Sequence, residues 1–136
     1  MDDMMATMKI SAAGMKVQGT RLRVIAENLA NVDSLPASPD ALPYRRKVIT
    51  FRDALDRSTG LNHVRVDAIG NDDSPFKQRY EPGHPAANAD GYVLAPNVSG
   101  LTETMDMREA QRSYEANLTM IRTAKGMMRD ALDVLR

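Results

Sequence analysis

Large apolar residues recur every seven positions at both ends of the chain. Near the start, Met8, Met15, Leu22 and Leu29 occupy one heptad position. Met5, Ala12, Gly19 and Ala26 occupy a companion position, so large residues alternate with small ones along a seam. That pattern predicts a long helix that lets a partner helix approach closely. Lys9, Lys16, Arg21, Arg23 and Glu27 fall off the seam, and Asp33-Ser34-Leu35-Pro36 predicts a stop. Near the end, Met107, Tyr114, Ile121, Met128 and Leu135 repeat by seven, with Ala110, Asn117, Ala124 and Ala131 as the small row. Ser99 or Thr102 is expected to cap this second helix, and Glu103, Asp106 and Glu109 place negative charge near the positive end of its dipole. Asn117 is the one polar residue on this seam, a placement that fixes register at a cost in stability.

A second stripe complicates a simple helical hairpin. Ile10, Val17 and Val24 also repeat by seven, two positions on from the main row. Two residues turn a helix by about 200°, so this stripe faces nearly the opposite way. Leu118, Met120, Met127, Leu132 and Val134 widen the apolar surface of the last helix in the same manner. A helix apolar on several faces is buried on several faces. One partner helix cannot cover both stripes of the first helix. The terminal helices are therefore expected to be loose in an isolated chain and to become rigid against neighbouring subunits.

The segment between them reads differently. Residues 33–100 hold all seven prolines and five of the eight glycines. Tyr44–Phe51, Val64–Ile69 and Gly91–Leu94 have strand character, and 72–75 and 81–85 have turn chemistry. The expected fold class is mainly α with a small β-rich middle, the long N- and C-terminal helices forming a coiled-coil pair. The expected divisions are an assembly helix at 1–32, a β and loop region at 33–100, and a second assembly helix at 101–136.

Composition narrows the chemistry. The 136 residues carry 18 Lys plus Arg against 18 Asp plus Glu, so the net charge is zero. Neutrality argues against nucleic acid or an anionic membrane as the main partner. Cysteine is absent, which removes disulfides, zinc thiolates and a thiol nucleophile. Ten methionines supply adaptable packing instead. The start, Met1-Asp2-Asp3-Met4-Met5, is acidic where a secretory leader is basic, and no apolar run of 18 occurs. The expectation is a cytosolic protein, or one exported by a route that needs no cleavable hydrophobic signal.

Few residues suggest a reaction centre. Arg45-Arg46-Lys47 beside Tyr44 suggests a nucleic-acid patch, but a solvated edge strand or the rim of a subunit contact explains one short basic run better. His84, with Glu81 and Asp90, lies in turn chemistry and lacks the convergent ligands of a metal site. Asp72 and Asp73 have no visible nucleophile partner, and a turn explains them. No glycine loop cradles phosphate. No cofactor and no small-molecule substrate are expected. The competing classes are an assembly subunit, a cytosolic coiled-coil adaptor, and an enzyme or metal domain centred on His84.

Four segments spanning nearly the whole chain carry a family resemblance. They are Ser11–Met15 through Ile25–Asn31 with its Asn28-Leu29-Ala30-Asn31 signature; Pro43–Lys47; Tyr80–Pro85 with Asp90–Val93 and Pro96–Val98; and Met105–Met107 through Arg112–Asn117. In these the chain resembles the FlgC family of flagellar basal-body rod proteins, within the wider group of flagellar axial proteins. Val32-Asp33-Ser34 departs from a Thr-rich turn, and Ser99-Gly100-Leu101 and Thr104 depart around Glu103. The resemblance implies a non-enzymatic structural subunit of the proximal rod, in the periplasmic space, that transmits torque. It implies export, uncleaved, through the flagellar type III apparatus. It implies packing of the terminal helices beside like subunits and other rod proteins. The residues expected at that assembly interface are Met8, Ala12, Met15, Gly19, Leu22, Ala26, Asn28, Leu29 and Asn31, with Met107, Ala110, Tyr114, Asn117, Ile121, Ala124, Met128, Ala131 and Leu135. For Asn28, Asn31 and Asn117 the alternatives are inter-subunit hydrogen bonding and ordinary helix termination or seam specificity.

Overall fold

The computed structural model describes all 136 residues. Two long helices bracket four strands: α1 (Asp2–Ala30), β1 (Lys47–Asp56), β2 (Leu61–Asn71), β3 (Lys77–Tyr80), β4 (Tyr92–Ala95) and α2 (Gly100–Val134). The strands form two separate two-stranded sheets, β1–β2 and β3–β4. The expected class, helices at both ends around a small β region, is the class observed. The expected strand at Tyr44 begins only at Lys47, because the Arg46 amide donates to the Asn97 side chain (2.7 Å). The strand β3 is absent from the sequence reading. Its residues, Lys-Gln-Arg-Tyr, show no apolar alternation, and it forms by pairing antiparallel with β4, Arg79 opposite Val93.

The chain forms two compact units that cut across the helices. One comprises Met1–Leu22, Thr50–Ala68 and Arg108–Arg136. Within it α1 and α2 run antiparallel. Gly14 lies against Asn117, where a Cβ on Gly14 would stand 2.8 Å from Nδ2, and Arg21 pairs with Glu109 at 3.6 Å. The α1 row that meets α2 holds Ser11, Gly14, Gln18 and Arg21, which are small or polar. Hydropathy therefore does not reveal it. Ala12, on the row the spacing predicts as the seam, is exposed. On α2 the expected rows do face inward: Ala110 and Ala124 are buried, and Tyr114, Asn117, Ile121 and Met128 are half-buried.

The opposite stripe of α1 corrects another expectation. Neighbouring subunits are not needed to cover all of it, because the chain covers Val17 and Val24 itself, at 3% and 4% exposure. In the first unit the end of the β1–β2 hairpin (Asp56, Thr59, Leu61, His63) lies beside Lys9, Ile10, Ala12 and Ala13. The middle segment thus folds back beside the first half of α1. Ile10 stays exposed.

The second unit comprises Arg23–Ile49 and Ile69–Met107. Its buried side chains include Val24, Ile25, Asn28, Val93, Ala95, Val98 and Glu103. Gly91 sits at φ +85°, and a Cβ there would meet Tyr80 at 2.9 Å and Pro82 at 3.1 Å. Both the left-handed backbone and the lack of room demand glycine. Gly91→Ala is expected to destabilise the protein by about 1–3 kcal/mol; urea unfolding measures it, and an unchanged midpoint would refute the close approach.

Candidate assembly interface

A scaffold of buried polar groups in the second unit positions the segment between Asn28 and α2. The Asn28 side chain is buried and makes three hydrogen bonds. Its Oδ1 accepts from the Tyr44 hydroxyl (2.7 Å) and the Lys47 amide (2.9 Å), and its Nδ2 donates to the Lys47 carbonyl (2.9 Å). The amide thus imitates a strand neighbour and satisfies the backbone at the start of β1. Asn97 does the same on another side. It accepts from the Arg46 amide and donates to the carbonyls of Asp72 (3.0 Å) and Ser74 (3.1 Å).

Arg46 is the centre of this scaffold. Its guanidinium hydrogen-bonds Glu103 through Nε, reaches Asp72 at 3.2 Å and lies 3.6 Å from Asp106. Glu103 is 0% exposed, and its Oε2 has no hydrogen-bond partner. The hydrogen bond to Glu103 raises the Arg46 pKa further. Burial pushes the Tyr44 hydroxyl up, and the nearby Glu27 and Glu103 add to the effect. Arg45 stacks over Phe76 at 4.2 Å and donates to the Asp72 and Ser74 carbonyls. At Arg45 and Arg46 the basic run is therefore engaged within the chain. Two of its three cations turn inward, a placement that spacing alone does not disclose.

The other candidate chemistry resolves into turns. The His84 amide donates to the Glu81 carbonyl, and His84 Nδ1 accepts from the Ala86 amide at 3.0 Å. Asp72 accepts from the Ser74 amide and hydroxyl, and these bonds, with Arg46, hold its carboxyl below the usual carboxylate range. Asp56 is held at about 2 by hydrogen bonds from Ser58, with smaller help from Thr59 and His63. No group of three His, Cys, Asp or Glu residues converges on a metal position.

The Asp56 shift has a pH consequence. A depressed carboxyl means that the folded chain binds fewer protons than the unfolded one between about 4 and 2, so stability falls as pH falls through that window. The 56–60 turn is expected to loosen there, seen in the Ser58 amide shift, and Asp56→Asn removes that response. A Ser58 shift that titrates at the usual carboxylate pKa would contradict it.

What remains outward is the face of the helices. Of the expected interface residues on α1, Ala12 and Ala26 are exposed; Met8, Met15, Gly19, Leu22, Leu29 and Asn31 are half-buried; Asn28 is buried. Asn31 closes the helix locally, donating to the Glu27 carbonyl and accepting from Ser34. On α2, Met107 and Ala131 are half-buried and Leu135 is 80% exposed. Large apolar residues stand in solvent along α2: Leu101, Met105, Met120, Met127, Leu132 and Val134. Met120, Met127 and Val134 form a row seven apart. Leu101 and Met105 lie on neither of the expected heptad rows.

Comparison with known proteins then decides the family. A FlgC flagellar basal-body rod protein from Agrobacterium fabrum is 46% identical over 136 residues, covering all of this chain and 98% of that protein. FlgC proteins from Bacillus subtilis (36%, covering 94% and 95%) and Salmonella typhimurium (40%, covering 88% of each) agree. The chain belongs to the FlgC family of flagellar basal-body rod proteins. A family model described as the C-terminal part of flagellar basal body rod FlgEFG proteins matches residues 89–134, which hold β4 and all of α2. Membership in the FlgC family supports a structural role in the rod rather than a catalytic one. The inward scaffold around Arg46 accounts for the conspicuous polar residues without any substrate. No helix is long and apolar enough to cross a membrane.

Proposed function

We propose that this FlgC-family chain is a subunit of the proximal rod that polymerises through its terminal helices and carries torque from rotor to hook. The observation that supports the reading is the outward apolar surface of α1 and α2, which a solitary chain leaves in water at a cost. Like subunits and other rod proteins are its partners on this reading. The half-buried large rows and the exposed Ala12 and Ala26 form the contact faces. Its passage outward uses the flagellar type III apparatus without loss of a leader.

The test is recovery with purified basal bodies at full length, together with protease mapping. A rod subunit copurifies uncleaved, and in dilute solution its helix ends are cut first and become protected on assembly. A self-contained cytosolic adaptor remains in the soluble fraction. Full-length protein that never sediments with basal bodies would overturn the proposal.

A further inference from the structure

Ten methionines in a chain without cysteine make the thioether its only sulfur donor. Three of them gather at one place. Within the first unit, Met4 of α1 and Met120 and Met127 of α2 line one pocket of about 220 Å³. Met120 and Met127 are seven residues apart, about two turns or 10 Å along the helix. Between them lies Ala124, 4% exposed, whose methyl group leaves open the space a larger side chain would fill. Met4 is half-buried, and Met120 and Met127 are 49% and 55% exposed, so a small solute can reach the pocket from water.

The rest of the lining sets the charge. Thr7 and Thr123 are neutral, and Asp3 is the one charged residue in it. Arg122, Lys125 and Arg129, and the acid Asp130, are exposed and lie outside the lining. The pocket therefore offers neutral sulfurs and one carboxylate, with no side-chain cation among them. Thioether sulfur is soft and polarisable. It suits Cu(I) and the related Ag(I), whereas zinc takes nitrogen, thiolate and carboxylate ligands and magnesium takes oxygen. The unbranched methionine side chain adapts easily, so sulfurs from different turns can converge on one ion. A single carboxylate nearby matches the single positive charge of such an ion. Thioethers are a ligand class apart from the His, Cys, Asp and Glu groups, none of which converges on a metal position.

We infer that the Met4–Met120–Met127 pocket binds a soft monovalent cation, Cu(I) or Ag(I), through its three sulfurs. The ion sits over Ala124, between the two α2 methionines, and Met4 supplies the third sulfur from the other helix. Binding ties the first turns of α1 to α2, so it stabilises the folded chain. The inference goes beyond the rod reading and does not depend on it, because it concerns the single purified chain.

The absence of cysteine makes a clean test possible, since no thiol competes for the metal. Silver nitrate is the first probe. In full-length protein isotope-labelled at the methionine methyl groups, one equivalent is expected to move the Met4, Met120 and Met127 NMR signals in step. Met5 and Met105, 44% and 62% exposed but outside the pocket, stay in place, and zinc moves none of them. Cu(I) without oxygen reproduces the pattern. Met120→Leu with Met127→Leu nearly conserves volume, so the fold is retained, as the urea midpoint checks. In that variant the Met4 signal responds only at several-fold higher silver. Silver raises the Tm of the unaltered chain by a few degrees and leaves that of the variant unchanged. Methionine signals that move in order of exposure, wherever the residue lies, mean indiscriminate binding and overturn the inference. A Met4 response that survives intact in the double variant overturns it as well. Neither result touches the rod reading, which stands or falls on recovery with basal bodies.

Discussion

Arg46→Met is expected to destabilise the protein by about 3–5 kcal/mol, because it leaves the fully buried Glu103 carboxylate without its only hydrogen-bond partner. That is a large part of the roughly 5–15 kcal/mol that holds a typical domain together. The loss reflects an uncompensated buried charge more than the worth of the pair. Arg46→Met combined with Glu103→Leu therefore recovers most of it, since apolar packing replaces both ions. Arg46→Lys falls between, keeping the charge but losing the fork that reaches Glu103, Asp72 and Asp106 together. Urea unfolding of the three variants checks the order. A cost below about 1 kcal/mol for Arg46→Met would mean that the carboxylate finds water in solution.

Gly19→Leu should separate the stability of the chain from its assembly. Nothing lies within 4 Å of a Cβ placed at Gly19, so a side chain can start outward there without a clash at its first carbon. Replacing a mid-helix glycine by leucine is expected to stabilise α1 by about 0.8 kcal/mol, seen as a rise of a few degrees in Tm. Gly19 also lies on the row of Ala12 and Ala26, the small outward positions proposed as a contact face. A leucine there holds a partner helix away. Incorporation into basal bodies and swimming are expected to be lost while the purified protein becomes more stable. Normal motility in the variant would remove that row from the interface.

The two helices were legible because their apolar periods run for four or five heptads, and the helical ends of the fold follow from them. The α2 seam was legible for the same reason. The α1 seam was not: Ser11, Gly14, Gln18 and Arg21 pack by smallness and by polar contacts, which leave no hydropathy trace. The landing of the hairpin beside Lys9 and Ala13 was equally hidden, since a strand's side chains show its own alternation but not where it lands. The polar scaffold escaped most completely. Arg46 meets Glu103 across 57 residues of sequence, and Asn97 meets Arg46 across 51. Local spacing carries no information over such separations. The outward faces proposed for assembly rest on what the single chain leaves uncovered.

The wide spacing of that scaffold has a kinetic consequence. Asn28, Arg46, Asp72, Asn97 and Glu103 come from almost the full span between the two helices, and apart from the Ser74 bonds to Asp72 the partners that join them lie 16 or more residues away. Loops of this length must close before the contacts repay them, which slows folding. A nascent chain cannot complete the scaffold until residue 103 has left the ribosome. For most of its synthesis the second unit therefore lacks its polar framework, and that part of the shape is acquired late.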